Sequence, residues 1–225
     1  MKLSIIIPAL NEAASLPGLL RNLSPPPPGT EVLVVDGGSE DATPTLVSPP
    51  FRLLRSARGR ARQMNHGAGE ALGEWLLFLH ADTLLTDGFA GEITGAAERG
   101  FRAGVFRLAI TGAHPLLRVS EWGANWRTRW RKIFLGDQAL FIRRDLFMDL
   151  GGFPDLPLME DYAFALTLKK RKEPLWLSPL SVTTSGRRWE RRGYLRTWWL
   201  MRRVFYRYHR TGSAEQAAAL YRDVR

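Results

Sequence analysis

Residues 3–7, LSIII, form a β-branched apolar run ending at Pro8, and Asn11-Glu12 opens an alanine- and leucine-rich segment reaching about Leu23. This pattern predicts a strand, a turn and a helix. After the rigid connector PPPPG at 25–29, EVLVVD at 31–36 predicts a second strand, and GGSEDAT a glycine turn with a capped helix start. FRLLRS at 51–56 predicts a third strand, residues 60–72 a helix whose alanines allow close packing, and WLLFL a fourth strand. Continuous apolar strands alternating with helices predict an α/β fold, a mainly parallel sheet covered on both faces, over residues 1 to about 100. Ligands of such sheets collect beyond the carboxyl ends of the strands. Asn11, Asp36 and His80-Ala81-Asp82 all fall there.

The second half changes texture. GVFRLAI at 104–110 and ALFIRR at 139–144 predict strands, and residues 115–131 an aromatic, basic helix. On it Trp122, Trp126 and Trp130 recur at i, i+4 and i+8, a stripe expected to pack against the sheet or another helix, the alternative being exposed indoles that stack on a sugar ring or sit in an interface. RRDLFMDLGGF predicts a short helix with a glycine stop, and residues 160–171 a helix with Glu160 and Asp161 in its first turn. LWLSP and a turn lead to a final helix at 190–209. No internal repeat or long linker appears, so we partition the chain into one domain, 1–189, with halves at 1–100 and 101–189, and an extension at 190–225.

Hydrophobic residues make up 45% and charged residues 24% of the 225, the balance of a folded globular protein. The absence of cysteine removes thiolate catalysis and Cys-based metal sites and fits a reducing compartment. The opening MKLSIIIPALNEAA reads as a first strand, since its apolar run is short and carries Pro8. No uninterrupted apolar stretch approaches the roughly 20 residues that cross a bilayer. Cytoplasmic placement with at most peripheral membrane contact is the expectation. The net charge of +10 makes phosphate, nucleic acid or anionic membrane candidate partners.

That charge is concentrated: nine arginines fall between Arg187 and Arg210, with Glu190 as the one acid among them. Tyr194, Trp198, Met201, Phe205 and Tyr208 recur there at helical spacing. Such a helix can lie on anionic lipid and approach a lipid-linked acceptor, or dock on its own domain or on a second subunit, making a homodimer.

Four clusters can carry chemistry. Asn11, Glu12 and Asp36 can hydrogen-bond a nucleobase or ribose, or cap and stabilise turns. Asp82 suits a magnesium or manganese ion bridging two phosphates; His80 is a poorer magnesium ligand and can hold phosphate or ribose by a hydrogen bond. Arg58, Arg60 and Arg62 can neutralise a diphosphate, with Gly59, Gly67 and Gly69 permitting close backbone approach. Glu160-Asp161 can remove a proton from an incoming hydroxyl, or merely favour a helix start. Asp137 and Gln138 of GDQALFIRR can line a donor or acceptor sugar pocket, or cap a turn. GxGxxG and Walker A sequences are absent, as is any recognised nucleic-acid motif. A basic nucleic-acid-binding protein, or a non-catalytic sugar-nucleotide binder, is the alternative class.

Taken together, IIIPALNE, EVLVVDGGSEDAT, LGEWLLFLHADTLL and RRDLFMDLGGFPDLPLMEDYAFALTLKK closely resemble, in order, the motifs of glycosyltransferase family 2 over about residues 3–172. With HADT, GDQ and RRW, the chain resembles the small radical-SAM or selenodomain-associated members. The resemblance implies a GT-A fold, three-layer α/β/α with a Rossmann-like nucleotide-binding half. It implies inverting transfer from a nucleotide-diphosphate sugar, a UDP-sugar or a GDP-sugar, with Mg2+ or Mn2+. It assigns Ala9, Asn11, Glu12 and Asp36 to the nucleoside, Asp82 to the metal beside the diphosphate, Asp161 to the base, and Glu160 to orienting it or the acceptor. The chain departs from the family at His80, where the first aspartate of DxD is expected, and at Ser185, in place of the glutamine of QxxRW. Arg188 and Trp189 of that motif are retained, Arg188 as a candidate partner of the leaving phosphate.

Overall fold

The computed structural model describes residues 1–222, apart from the side chains of Arg188 and Arg222. Its centre is one eight-stranded sheet. The strands are β1 (Leu3–Ala9), β2 (Thr30–Asp36), β3 (Arg52–Arg55), β4 (Trp75–Phe78), β5 (Thr83–Leu85), β6 (Ala103–Ile110), β7 (Leu140–Arg143) and β8 (Leu175–Thr184). Their order is β3-β2-β1-β4-β7-β6-β8-β5. β3, β2, β1 and β4 run parallel, as do β6 and β8, while β7 and β5 pair antiparallel with their neighbours. The result is a mixed, mostly parallel sheet.

Period-2 alternation splits the core into two layers. Ile6, Leu33, Val35, Leu76 and Phe78 face one side, where they meet α2 (Arg60–Glu70), α5 (Arg144–Asp149) and α6 (Glu160–Lys170). Ile5, Ile7, Val32, Val34 and Leu77 face the other, under α1 (Leu16–Asn22) and α3 (Phe89–Glu98). This is the expected three-layer arrangement, consistent with a GT-A-like fold.

Four expectations change. The first helix begins at Leu16 instead of Asn11, because Asn11 takes a left-handed φ of 55° and the Asn11 and Glu12 N–H groups donate to Ser39 Oγ and Thr43 Oγ1. GGSEDAT starts no α-helix; only a 3₁₀ turn, Thr43–Leu46, follows, and Asp41 instead accepts bonds from the Thr43 and Ala13 N–H groups at 2.9 and 3.1 Å. The HAD segment leads straight into a strand that the apolar pattern does not predict, the three-residue β5, which pairs with β8 (Leu84 opposite Thr183) at the far edge of the sheet. The C-terminal segment is three helices, α7 (Arg187–Arg192), α8 (Tyr194–Thr211) and α9 (Ala214–Arg222), with Gly193 at φ 78° breaking the first from the second.

The tryptophan stripe also lies where the pattern did not predict. On α4 (Pro115–Arg131), Trp122, Trp126 and Trp130 are 67%, 47% and 67% exposed. The opposite face turns inward because β6 outruns β7 and leaves backbone groups to satisfy. Asn125 accepts from the Leu108 N–H and donates to the Leu108 carbonyl, and Glu121 accepts from the Ile110 N–H.

Gly67 explains how closely α2 sits on the sheet. A Cβ there would stand 2.6 Å from Ile6 Cγ2 and 3.0 Å from Val35 Cγ2. The close approach it permits is to the sheet. Gly67→Ala should therefore destabilise the protein by about 1–3 kcal/mol through overpacking, read as a lower urea midpoint; an unchanged midpoint would contradict this packing.

Candidate active site

At the carboxyl ends of β1 and β2, a network of loop bonds fixes the residues assigned to a nucleoside. The buried Asp36 carboxylate accepts the N–H groups of Gly38 and Ser39 at 3.1 Å. Exposed Asn11 accepts the Glu40 N–H at 2.9 Å. Beneath them Gln63, on α2, donates its amide to the carbonyls of Ala9 and Val35, each at 2.7 Å, locking the two strand ends together. The sequence reading missed Gln63; its signal was a polar residue on the apolar face of an alanine-rich helix.

The acidic pair lies at the start of α6, where the helix dipole favours negative charge. Its N-cap, Met159, is held at φ 70°, a strained conformation for a side-chain-bearing residue and one that concentrates at functional sites. Glu160 is 1% exposed and pairs with Arg60, the first residue of α2. Arg60 Nη2 also stands 3.7 Å from Asp161 Oδ2. Burial opposes the Arg60 charge, but Glu160 and Asp161 outweigh it and raise the guanidinium's pKa. Burial pushes the Glu160 carboxyl up despite Arg60 beside it. Arg60 therefore serves the carboxylates, and Arg62 pairs with Asp155 at 2.8 Å.

Asp161 Oδ2 accepts the Gly136 N–H at 2.6 Å, and Oδ1 that of Tyr162 at 2.7 Å. A Cβ on Gly136 would stand 2.7 Å from His80 Nε2 and 3.1 Å from Asp161 Oδ2. The imidazole of the HAD segment and the carboxylate of the Glu-Asp pair thus flank one glycine. Asp82 is carried alongside: its carbonyl accepts the Ser185 N–H at 3.1 Å as the chain crosses toward β5.

These groups open into a cavity of about 790 Å³. Arg60, His80, Asp82, Asp137, Asp161 and Ser185 line it. The same wall carries Arg187, Arg191, Arg192 and Arg202 of the C-terminal helices, with Trp189, Tyr194, Trp198 and Phe205. Of the remaining candidates, Ala9, Asn11, Glu12, Asp36 and exposed Arg58 lie outside the cavity wall, as do buried Ala81 and Glu160. Gln138 is fully buried and bonded to Thr128 Oγ1 and the Phe106 carbonyl, so it braces the turn instead of lining the pocket. The side chain of Arg188 lies outside the described residues. Arg127 and Gly136, both on the cavity wall, were not singled out from the sequence.

Among the described residues, no three histidine, aspartate or glutamate side chains group as a metal cage. Asp82, one carboxylate open to the cavity, fits a hard cation whose other positions are filled by phosphate oxygens and water.

Asp137 titrates unusually: burial pushes its carboxyl up to about 6, with Arg127 opposing and Asp161 reinforcing the shift, and Arg60 opposing it. The folded chain holds this proton between about pH 4 and 6, where an unfolded aspartic acid has released it. Stability is therefore lost as pH rises across that window. Asp137→Asn should match the wild type near pH 4 and exceed it by roughly 1–3 kcal/mol at pH 7, measured by urea unfolding; an equal gap at both pH values would contradict the burial of this charge.

The description "Glycosyl transferase family 2" matches residues 4–151. The PGL/p-HBAD biosynthesis glycosyltransferase of Mycobacterium bovis (strain BCG / Pasteur 1173P2) is 42% identical over 172 residues, 67% of this chain and 62% of that protein. An uncharacterized glycosyltransferase of Haemophilus influenzae is 36% identical over 181 residues, 74% and 61% of the two chains. The chain spans about three fifths of the length of these relatives. Among solved structures, S. aureus TarS 1-349 in complex with UDP-GlcNAc matches with a TM-score of 0.67 at 20% identity, over 82% of this chain and 58% of that one. The mannosyltransferase PcManGT from Pyrobaculum calidifontis, in complex with GDP-Man and Mn2+, matches at 0.67 and 24%, over 90% and 61%. Both structures share the fold at identities too low to carry more. The match over residues 4–151, together with the mycobacterial relative, places this chain in glycosyl transferase family 2.

Proposed function

We propose that the protein transfers a sugar from a nucleotide-diphosphate sugar to an acceptor hydroxyl, with inversion at the anomeric carbon. The observation that carries this reading is the placing of Asp161 on the cavity wall, across Gly136 from His80 and beside Asp82. In this reading Ala9, Asn11, Glu12 and Asp36 hold the nucleoside. The acceptor hydroxyl gives its proton to Asp161, whose oxygens keep lone pairs beyond the backbone bonds they accept. The acceptor oxygen forms its bond to the anomeric carbon as the bond to the diphosphate oxygen breaks, and the diphosphate leaves with that electron pair. One displacement inverts configuration. A Mg2+ or Mn2+ ion held by Asp82 would supply charge neutralisation at the diphosphate. Arg60, through Glu160, positions the base.

The donor is read as a UDP-sugar first and a GDP-sugar second. TarS in complex with UDP-GlcNAc and PcManGT in complex with GDP-Man and Mn2+ share this fold and support both.

The acceptor is read as lipid-linked and the protein as peripheral on an anionic membrane. On the cavity wall α7 and α8 join four arginines to aromatic side chains, and Trp122, Trp126, Trp130, Leu195 and Trp199 are exposed on helices α4 and α8. Among the described residues, no helix is long and apolar enough to cross a membrane. α8 and α9 also cover the core, burying Val204 and Ala217, so substitution tests the surface more cleanly than truncation.

Two measurements test the reading. In a screen of nucleotide sugars and acceptors, Asp161→Asn should lower transfer by about 100-fold or more while leaving donor affinity within about twofold; near-normal transfer would remove Asp161 as base. In flotation with phosphatidylglycerol-containing vesicles, the triple change W122A/W126A/W130A should release the protein into the soluble fraction. Unchanged flotation of the folded variant, or none by the wild type, would remove the membrane surface.

A further inference from the structure

The cavity wall contains two polar atoms that the reaction above does not use. Asp137 Oδ1 and Arg127 Nη2 are shut off from bulk solvent, yet neither has a hydrogen-bond partner among the described residues. Both residues line the cavity next to Gly136 and Asp161. Their charges are opposite and lie within electrostatic range, but they do not form an ion pair.

Local structure keeps them apart. Arg127 is tied by its Nε–H to the Ile133 carbonyl at 3.2 Å. Asp137 sits in the 3₁₀ turn Gly136–Gln138. That turn is pinned by the Gly136 N–H donating to Asp161 at 2.6 Å, by the Thr128 hydroxyl donating to Gln138 Oε1 at 2.8 Å, and by Ala139 at φ 47°. Native proteins rarely leave buried polar atoms unpaired; both atoms are covered within the wall of the cavity that their residues line, and a small turn of either side chain toward that cavity offers it to a ligand that completes both.

We propose that Asp137 and Arg127 form a hydroxyl-binding subsite for the acceptor. A hydroxyl donates one proton and accepts through its lone pairs, so one placed between the two can donate to Asp137 Oδ1 and accept from Arg127 Nη2. A phosphate or carboxylate placed there meets the carboxylates of Asp137 and Asp161. A neutral polyhydroxyl ring, a sugar or a cyclitol, is therefore the ligand class. Because Asp137 adjoins the cavity face of Asp161, the gripped hydroxyl is the neighbour of the one that reacts. Arg127 projects from α4, which is bonded to β6, and in the sheet β4 and β7 separate β6 from β1 and β2, whose ends lead to Asn11, Glu12 and Asp36, so the ring is the acceptor's. Arg127 and Asp137 are specificity-determining residues in this assignment; the anion-binding role stays with Arg187, Arg191, Arg192 and Arg202 of the same cavity.

The subsite rests on the transferase reading above, and the two can fail separately. The probes are methyl glucoside, methyl galactoside, methyl mannoside and myo-inositol, followed by saturation-transfer NMR on the full chain in the presence of UDP or GDP. At least one probe should bind the wild type. Its affinity should fall about 10-fold or more in Asp137→Ala and Arg127→Met, with nucleotide affinity changed less than about twofold. Asp137→Asn, which keeps the shape, should also weaken the probe while its melting temperature at pH 7 stays at or above the wild-type value; a structural brace would show the opposite shift. Probe binding that ignores all three substitutions, or no probe binding where nucleotide binds, overturns the subsite. Failure of every nucleotide and nucleotide sugar to bind instead overturns the transferase reading.

Discussion

The pairing of Arg60 with Glu160 is the constraint around which the site is arranged. Arg60 begins α2, which packs on β1 and β2; Glu160 begins α6, a hundred residues later in the chain. A carboxylate as buried as Glu160 is costly unless a cation and hydrogen bonds compensate it, and removing one partner of such a pair typically costs about 3–5 kcal/mol. The same guanidinium reaches Asp161, whose other contacts fix Gly136 and the GDQ turn. One ion pair thus joins two helix starts distant in sequence and stands beside the carboxylate on the cavity wall. The strain at Met159 is held in place by the same contacts.

Strand-forming segments were legible because buried parallel strands read as uninterrupted apolar runs, and β1, β2 and β4 stand where such runs predict them; β3, RLLR at the sheet edge, is only partly buried and was marked by its leucine pair. The convergence of HAD, GDQ and Glu-Asp was less legible. It follows from β4 leaving the parallel block toward β5 and from α6 starting on the other side of Gly136, and neither long-range path leaves a periodic signal. The GGSEDAT segment misled because residues good at capping helices are equally good at bonding a neighbouring loop. Trp122, Trp126 and Trp130 misled for a related reason. Periodicity identifies a face and not what covers it, and here the bonds of Glu121 and Asn125 to the edge of β6 decided which face turned in.

The cavity wall is chemically divided by element. Asp82, Asp137 and Asp161 stand with Arg60 and Arg127 on it, while α7 and α8 add Arg187, Arg191, Arg192 and Arg202 with aromatic side chains. Outside the wall, Ala9 and Asp36 are buried at the ends of β1 and β2, braced by Gln63, while Asn11 and Glu12 lie in the loop beyond.

The central claim, that the Arg60–Glu160 pair fixes the start of α6 against the start of α2, is tested most directly by a double-mutant cycle. Unfolding free energies of wild type, Arg60→Met, Glu160→Gln and the double variant isolate the pairwise term. The account predicts a favourable coupling of about 2 kcal/mol or more, with each single change costing more than half as much as the double. Additive effects within about 0.5 kcal/mol would show that other contacts set these helix starts and would contradict the account.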